Sequence, residues 1–119
     1  MNSSFPHQDL KVWQEALNLC EQIYITTKKF PQSELHGLTN QLRRAAISVG
    51  LNIAEGKGRY YDKEFVRFLY ISRGSLYEVI ACLELSLRLE FIIKDEYDKL
   101  FQQSQLVQKL TNGLINALK

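Results

Sequence analysis

With 119 residues, 45% of them hydrophobic and 24% charged, and a formal net charge of +2, the chain has the balance of one globular domain spanning residues 1–119. That composition excludes a disordered or low-complexity chain, and six glycines and two prolines are too few for the turns of an all-β domain. No run approaches the ~18 apolar residues of a membrane span, and the opening MNSSFPHQDLK lacks a basic start followed by an apolar stretch. A cytoplasmic protein without membrane contact is expected.

Four segments carry the three-and-four spacing of amphipathic helices. The first is predicted to start near Asp9 as N-cap and to bury Trp13, Ala16, Leu17, Cys20, Ile23, Tyr24 and Thr27 along one face. It ends at Phe30-Pro31, because the residue before a proline is pushed out of the helical region. Ser33 is placed to cap the second helix, whose stripe is Leu35, Leu38, Leu42, Ala45, Ala46, Val49 and Ile53. Gly56 and Gly58, which tolerate positive φ, supply the break after it. The third helix begins at Asp62, with Glu64 in the first turn favouring the positive end of the dipole. It runs through Phe65, Leu69, Ser72, Leu76, Val79, Ile80, Leu83 and Leu87 to about Glu90, a rod of ~42 Å at ~1.5 Å per residue. Asp95 can cap the fourth, where Leu100, Ser104, Val107, Thr111, Leu114 and Leu118 alternate steps of four and three like a bundle seam. Short connections favour antiparallel neighbours, so the expected fold is all-α, an up-down-up-down four-helix bundle.

Apolar residues also fall away from these stripes. Ile47, Leu51 and Ala54 lie on another side of the second helix; Phe68, Ile71, Cys82, Leu85 and Leu89 widen the third, and Leu106, Leu110 and Ala117 the fourth. A lone bundle needs one stripe per helix. Stripes of this kind point to a subunit interface, made by Ile47, Leu51, Ala54, Phe68, Ile71, Leu85 and Leu89, and the alternative is ordinary exposed aliphatics.

The charge is uneven. From Arg43 to Arg73 there are seven basic residues (Arg43, Arg44, Lys57, Arg59, Lys63, Arg67, Arg73) against three acidic ones, while the rest of the chain holds eight basic and ten acidic residues. Folding the hairpin about residues 58–59 sets Arg43 and Arg44 beside Arg73, and sets Ala45, Ala46 and Ser48 against Ser72, Gly74 and Ser75. Gly74 then has a packing role that offsets its ~1 kcal/mol cost inside a helix. Neither Arg43, Arg44 nor Arg73 has an acidic residue three or four positions away, and Lys63 and Arg67 are a like-charged i,i+4 pair. Such cations suit phosphate, whose geometry guanidinium forks match and whose counterions are released on binding. Two other readings stay open: pairing of the arginines with Glu55, Glu78 or Glu84 across an interface, and a simply solvated face. Tyr60 and Tyr61 beside Arg59 can stack on bases, or pack against the end of the core.

Chemistry-bearing patterns are absent. Cys20 and Cys82 have no metal or redox spacing and read as buried structural residues, and His7 and His36 have no neighbouring ligands. Gly56-Lys57-Gly58-Arg59 lacks the Walker spacing and its strand, and no G-x-S-x-G, HExxH or di-iron ExxH occurs. The expectation is a non-enzyme with no cofactor or metal.

The run Asp9-Leu10-Lys11-Val12-Trp13-Gln14-Glu15-Ala16, then Phe30-Pro31 and Glu34, then Gln41 to Val49 (QLRRAAISV), Asn52 to Arg59 (NIAEGKGR), Glu64-Phe65, Phe68-Leu69 and Gly74 to Glu78 (GSLYE), resembles the four-helix-bundle family of 23S ribosomal RNA intervening-sequence proteins. Val49 and Val79 stand where the family pattern leads one to expect Ile and Leu. The resemblance implies an antiparallel bundle, commonly a homopentamer, and says little about activity. A similar bundle is the accessory protein of diversity-generating retroelements, where a basic pentamer binds nucleic acid and a reverse transcriptase; that likeness is one of fold. The function expected is a homo-oligomer whose basic surface contacts RNA or DNA backbone. The competing reading is a scaffold that binds another protein and uses its arginines to hold the oligomer together.

Overall fold

The periodicity of the chain becomes four helices in a computed structural model that describes residues 5–119. They are α1 (Lys11–Thr27), α2 (Leu38–Lys57), α3 (Asp62–Arg88) and α4 (Lys94–Leu118), with a single 3-10 turn at Gln32–Glu34 between the first two. Each helix packs on two neighbours, in the cyclic order α1, α2, α3, α4. All four neighbouring pairs are antiparallel, as their cross-links show. Arg43 of α2 reaches Thr27 at the end of α1, while Gly50 lies against Trp13 near its start. Ser48 meets Ser75 and Gln41 meets Glu78. Arg73 and Tyr70 of α3 meet Asn112 of α4 and Lys119 just past its end, and Gln103 of α4 returns to Glu15 of α1. The molecule measures 43 × 27 × 23 Å, its long axis set by α3.

One core runs the length of the bundle, built on Leu19 and Ile23, Leu42, Val49 and Ile53, Leu69, Leu76 and Leu83, and Leu100 and Val107. Small hydroxyl residues let the helices approach. Buried Ser72 donates to the carbonyl of Val49 across the α2–α3 seam at 2.7 Å, and Ser86, Ser104 and Thr111 satisfy themselves on the carbonyl four residues back.

Several expectations need correction. The α1 stripe is displaced by part of a turn: Val12 and Leu19 are buried, Trp13 and Cys20 only half-buried, and Leu17 and Tyr24 exposed. Trp13 sits beside the core because Gly50 offers it a flat surface, a Cβ there standing 3.2 Å from the indole ring. In α4 the buried position moves from Leu114 to Ile115, since a 3.5-residue seam drifts ~20° per heptad round a straight helix. Cys82, like Cys20, is half-buried, and burial raises the pKa of both thiols.

None of the four expected caps stands at the N-cap position of its helix. Asp9 lies in a turn before Leu10, Ser33 lies in the 3-10 turn, and Asp62 and Asp95 are already inside their helices. Glutamates replace two of them. Glu34 accepts the backbone N–H of Leu38 at 3.1 Å, and Glu96 reaches back to the N–H of Ile93 at 2.9 Å, the carboxylate half of a capping box. Nor do the glycines end α2 by positive φ: Gly58 at the C-cap has φ −76°, and Gly56 stays helical. The one positive φ of a non-glycine residue among those described is at Glu90, 65°.

The Ser48, Ser72 and Ser75 part of the expected facing set is present, Ser48 meeting Ser75 and Ser72 bonding the carbonyl of Val49. The hairpin closes later than residues 58–59, with Gly56 opposite Phe65 and Phe68, four or more positions past the expected Tyr61. Gly74 faces open space, with no neighbour within 4 Å of a Cβ placed there, so its expected packing role is absent within the protomer.

Candidate nucleic-acid interface

The three arginines that were expected to share one region are separated, because they leave their helices on different faces. Arg43 turns toward α1, where its Nε donates to Thr27 Oγ1 at 2.8 Å and its guanidinium lies 4.5 Å from the Tyr24 ring centroid. Arg44 is exposed and lines a shallow polar groove between α2 and α3 with Asn40, Gln41, Ser48, Ser75 and Glu78. Arg73 points the other way, toward α4: it donates to Asn112 Oδ1 at 3.0 Å and covers the Tyr70 ring at 4.8 Å. Of the expected acidic partners, Glu78 accepts from Gln41 and Glu55 pairs with Arg59. Arg43, Arg44 and Arg73 form no ion pair among the described residues.

The remaining cations do converge, at the end of the bundle where α2 turns into α3. Arg59 is held there by Glu55 at 2.7 Å and Glu64 at 3.8 Å, over the Phe68 ring. Lys57 lies against the Phe65 ring, 5.7 Å from its centroid. Lys63 and Arg67, one turn apart on α3, are exposed and have no ion pair. Between them the two tyrosines stand out: Tyr60 is 88% exposed and Tyr61 64% exposed, their rings edge to face at 4.8 Å. A ring packed as a staple would be covered, so the core-end alternative for these two tyrosines does not describe this structure. Arg44, ~20 Å back along α2 from Lys57 at ~1.5 Å per residue, belongs to a different surface.

Of the interface candidates, Leu51, Ile71, Leu85 and Leu89 are exposed and Ile47 sits at the edge of exposure. Ala54 and Phe68 are half-buried; Phe68 is used inside the protomer, against Gly56 and beneath Arg59. Among the described residues no three His, Cys, Asp or Glu side chains converge, and no helix is long and apolar enough to cross a membrane.

The fold and this end define an all-α bundle with a turn of exposed tyrosines set among Lys57, Arg59, Lys63 and Arg67 and the carboxylates of Glu55, Asp62 and Glu64. The chain belongs to the 23S rRNA-intervening sequence protein family, whose sequence profile it matches over residues 8–113. A solved structure from Bacteroides thetaiotaomicron, described as a protein of unknown function from the S23 ribosomal protein family, has the same fold. Its TM-score is 0.80 and its sequence identity 24%, over 87% of this chain and 97% of that one. No functionally curated protein matches the chain.

Proposed function

We propose that this protein is a non-enzymatic homo-oligomer that binds the backbone of RNA or DNA through the α2–α3 end. The observation that carries this reading is the exposed Tyr60–Tyr61 pair set among Lys57, Lys63 and Arg67. Exposed rings beside cations suit an unpaired base stacked on a tyrosine with its phosphates neutralised nearby. Lys63 and Arg67 strengthen it, because two like charges one turn apart repel unless an anion lies between them. Phosphate contacts of this kind position a strand without reading its sequence, so weak sequence preference is expected.

Self-association is part of the same reading. Leu51, Ile71, Leu85 and Leu89 are exposed on α2 and α3 in the protomer, apolar surface that a second copy would cover. A closed ring of copies would repeat the cationic end and add its single contacts through multivalency.

Fluorescence anisotropy of a labelled single-stranded RNA at 50 and 200 mM salt tests the binding. The expected affinity falls steeply with salt and is lost in Lys63→Glu/Arg67→Glu. Salt-independent binding, or full binding by that variant, would overturn the reading.

A further inference from the structure

The basic surface does not stop at the turn. Between Glu64 and Glu78 α3 has no acidic residue, and α4 has none after Asp98. These two stretches lie side by side: Tyr77 meets Gln108, Arg73 meets Asn112 and Tyr70 meets Lys119. The antiparallel packing places the C-terminal end of α4 at the same end of the bundle as Tyr60 and Tyr61. The acid-free stretch of α3 therefore runs along the α3–α4 seam from Phe65 to Tyr77, ~18 Å at ~1.5 Å per residue.

The strip is ordered as well as basic. Arg73 is fixed between the Tyr70 ring and the Asn112 carbonyl oxygen, with N–H donors to spare. Lys119 Nζ, at the C-cap of α4, donates to the Tyr70 hydroxyl at 3.3 Å. By contrast, the α2–α3 side of the bundle mixes signs, with Glu55 of α2 and Glu78 of α3 exposed, and carries exposed Leu51 and Ile71. The two sides of α3 differ in charge and in grease.

We infer that the α3–α4 seam is a continuation of the binding site: a track for the phosphates of a single strand whose bases reach Tyr60 and Tyr61. Charge complementarity names the occupant, a polyanion, and ~18 Å spans at most about five nucleotides at the ~3.4 Å axial rise of a stacked strand. Unpaired bases are required because the rings at the turn offer faces to stack on and no shape that fits a groove. This inference rests on the binding proposed for the α2–α3 end.

The test uses the full chain and a labelled oligouridylate in two lengths, four and twelve nucleotides. Arg73→Gln/Lys119→Gln should weaken binding of the 12-mer about tenfold and reduce its salt slope by about 1.4, the share of two phosphates on a single strand. It should leave the 4-mer, which fits at the turn, unchanged. Binding of the 12-mer by wild type that is insensitive to this variant overturns the track and leaves the turn site standing. Absence of any binding by wild type overturns both. A twelve-base-pair duplex that competes as well as the single strand overturns the assignment of an unpaired ligand.

Discussion

The space of the missing Gly56 side chain is filled by Phe68: a Cβ built on Gly56 would stand 2.5 Å from the Cβ of Phe68 and 3.0 Å from the Phe65 ring. Neither neighbour can step aside cheaply, since one is the stem of a side chain anchored on α3 and the other is a buried ring. Gly56→Ala is expected to destabilise the fold by about 2 kcal/mol, the cost of an overpacked contact less the helix preference gained. Gly74→Ala, into open space, should gain up to ~1 kcal/mol. Urea unfolding of both variants checks the pair, and the same sign of change in both would contradict this geometry.

Glu90 closes α3 in a left-handed conformation. With φ 65°, its N–H donates to Leu87 O at 3.0 Å while the N–H of Phe91 donates to Ser86 O at 2.9 Å, the two bonds of a Schellman motif. Glycine is the usual residue there because it has no Cβ to clash. Glu90→Gly should stabilise by about 1 kcal/mol, raising Tm by about 4 °C for a chain of this length. An unchanged or lowered Tm on thermal unfolding would show that the Glu90 side chain contributes something that offsets its strain.

Glu15 ties α1 to α4. Hydrogen bonds from Gln103, then from Lys11 and Asn18, hold its carboxyl at about 2, well below the ordinary carboxylate range. A folded-state value below the unfolded one means the carboxylate stabilises the fold above pH ~4.3, and that this stabilisation fades as the pH falls toward 2. Glu15→Gln should therefore be less stable than wild type at pH 7, with the difference closing by pH 2. A gap in unfolding free energy that stays constant from pH 7 to pH 2 would contradict the assignment.

Four helices, their order and most of the core were legible in the sequence, because three-and-four spacing in α3 and the first half of α4 leaves one face to bury. Where it failed, a geometric quantity was missing. The α1 stripe admits two faces of similar apolarity, and Gly50 decides between them by seating Trp13. Hairpin register depends on Gly56 against Phe68, a contact between helices that no single-helix pattern contains. Arg43, Arg44 and Arg73 lie on three sides because they leave α2 and α3 on different faces, toward α1, the α2–α3 groove and α4. The acid-free run after Asp98 was readable throughout; only the α3–α4 packing gives it a partner in Tyr70 and Arg73.

Leu51, 59% exposed on the outer face of α2, tests self-association. Leu51→Lys should lower the mass measured by light scattering while far-UV circular dichroism stays helical. A purified wild-type chain that scatters as a monomer, or an unchanged mass in the variant, would remove Leu51 from the interface.

The most direct measurement is ultraviolet cross-linking of a single-stranded RNA to the intact protein, with the modified residues mapped by mass spectrometry. Cross-links at Tyr60 or Tyr61 that disappear at high salt are the expected result. Cross-links confined to the opposite end of the bundle, around Phe91 and Tyr97, or none at all, would contradict nucleic-acid binding at the α2–α3 turn.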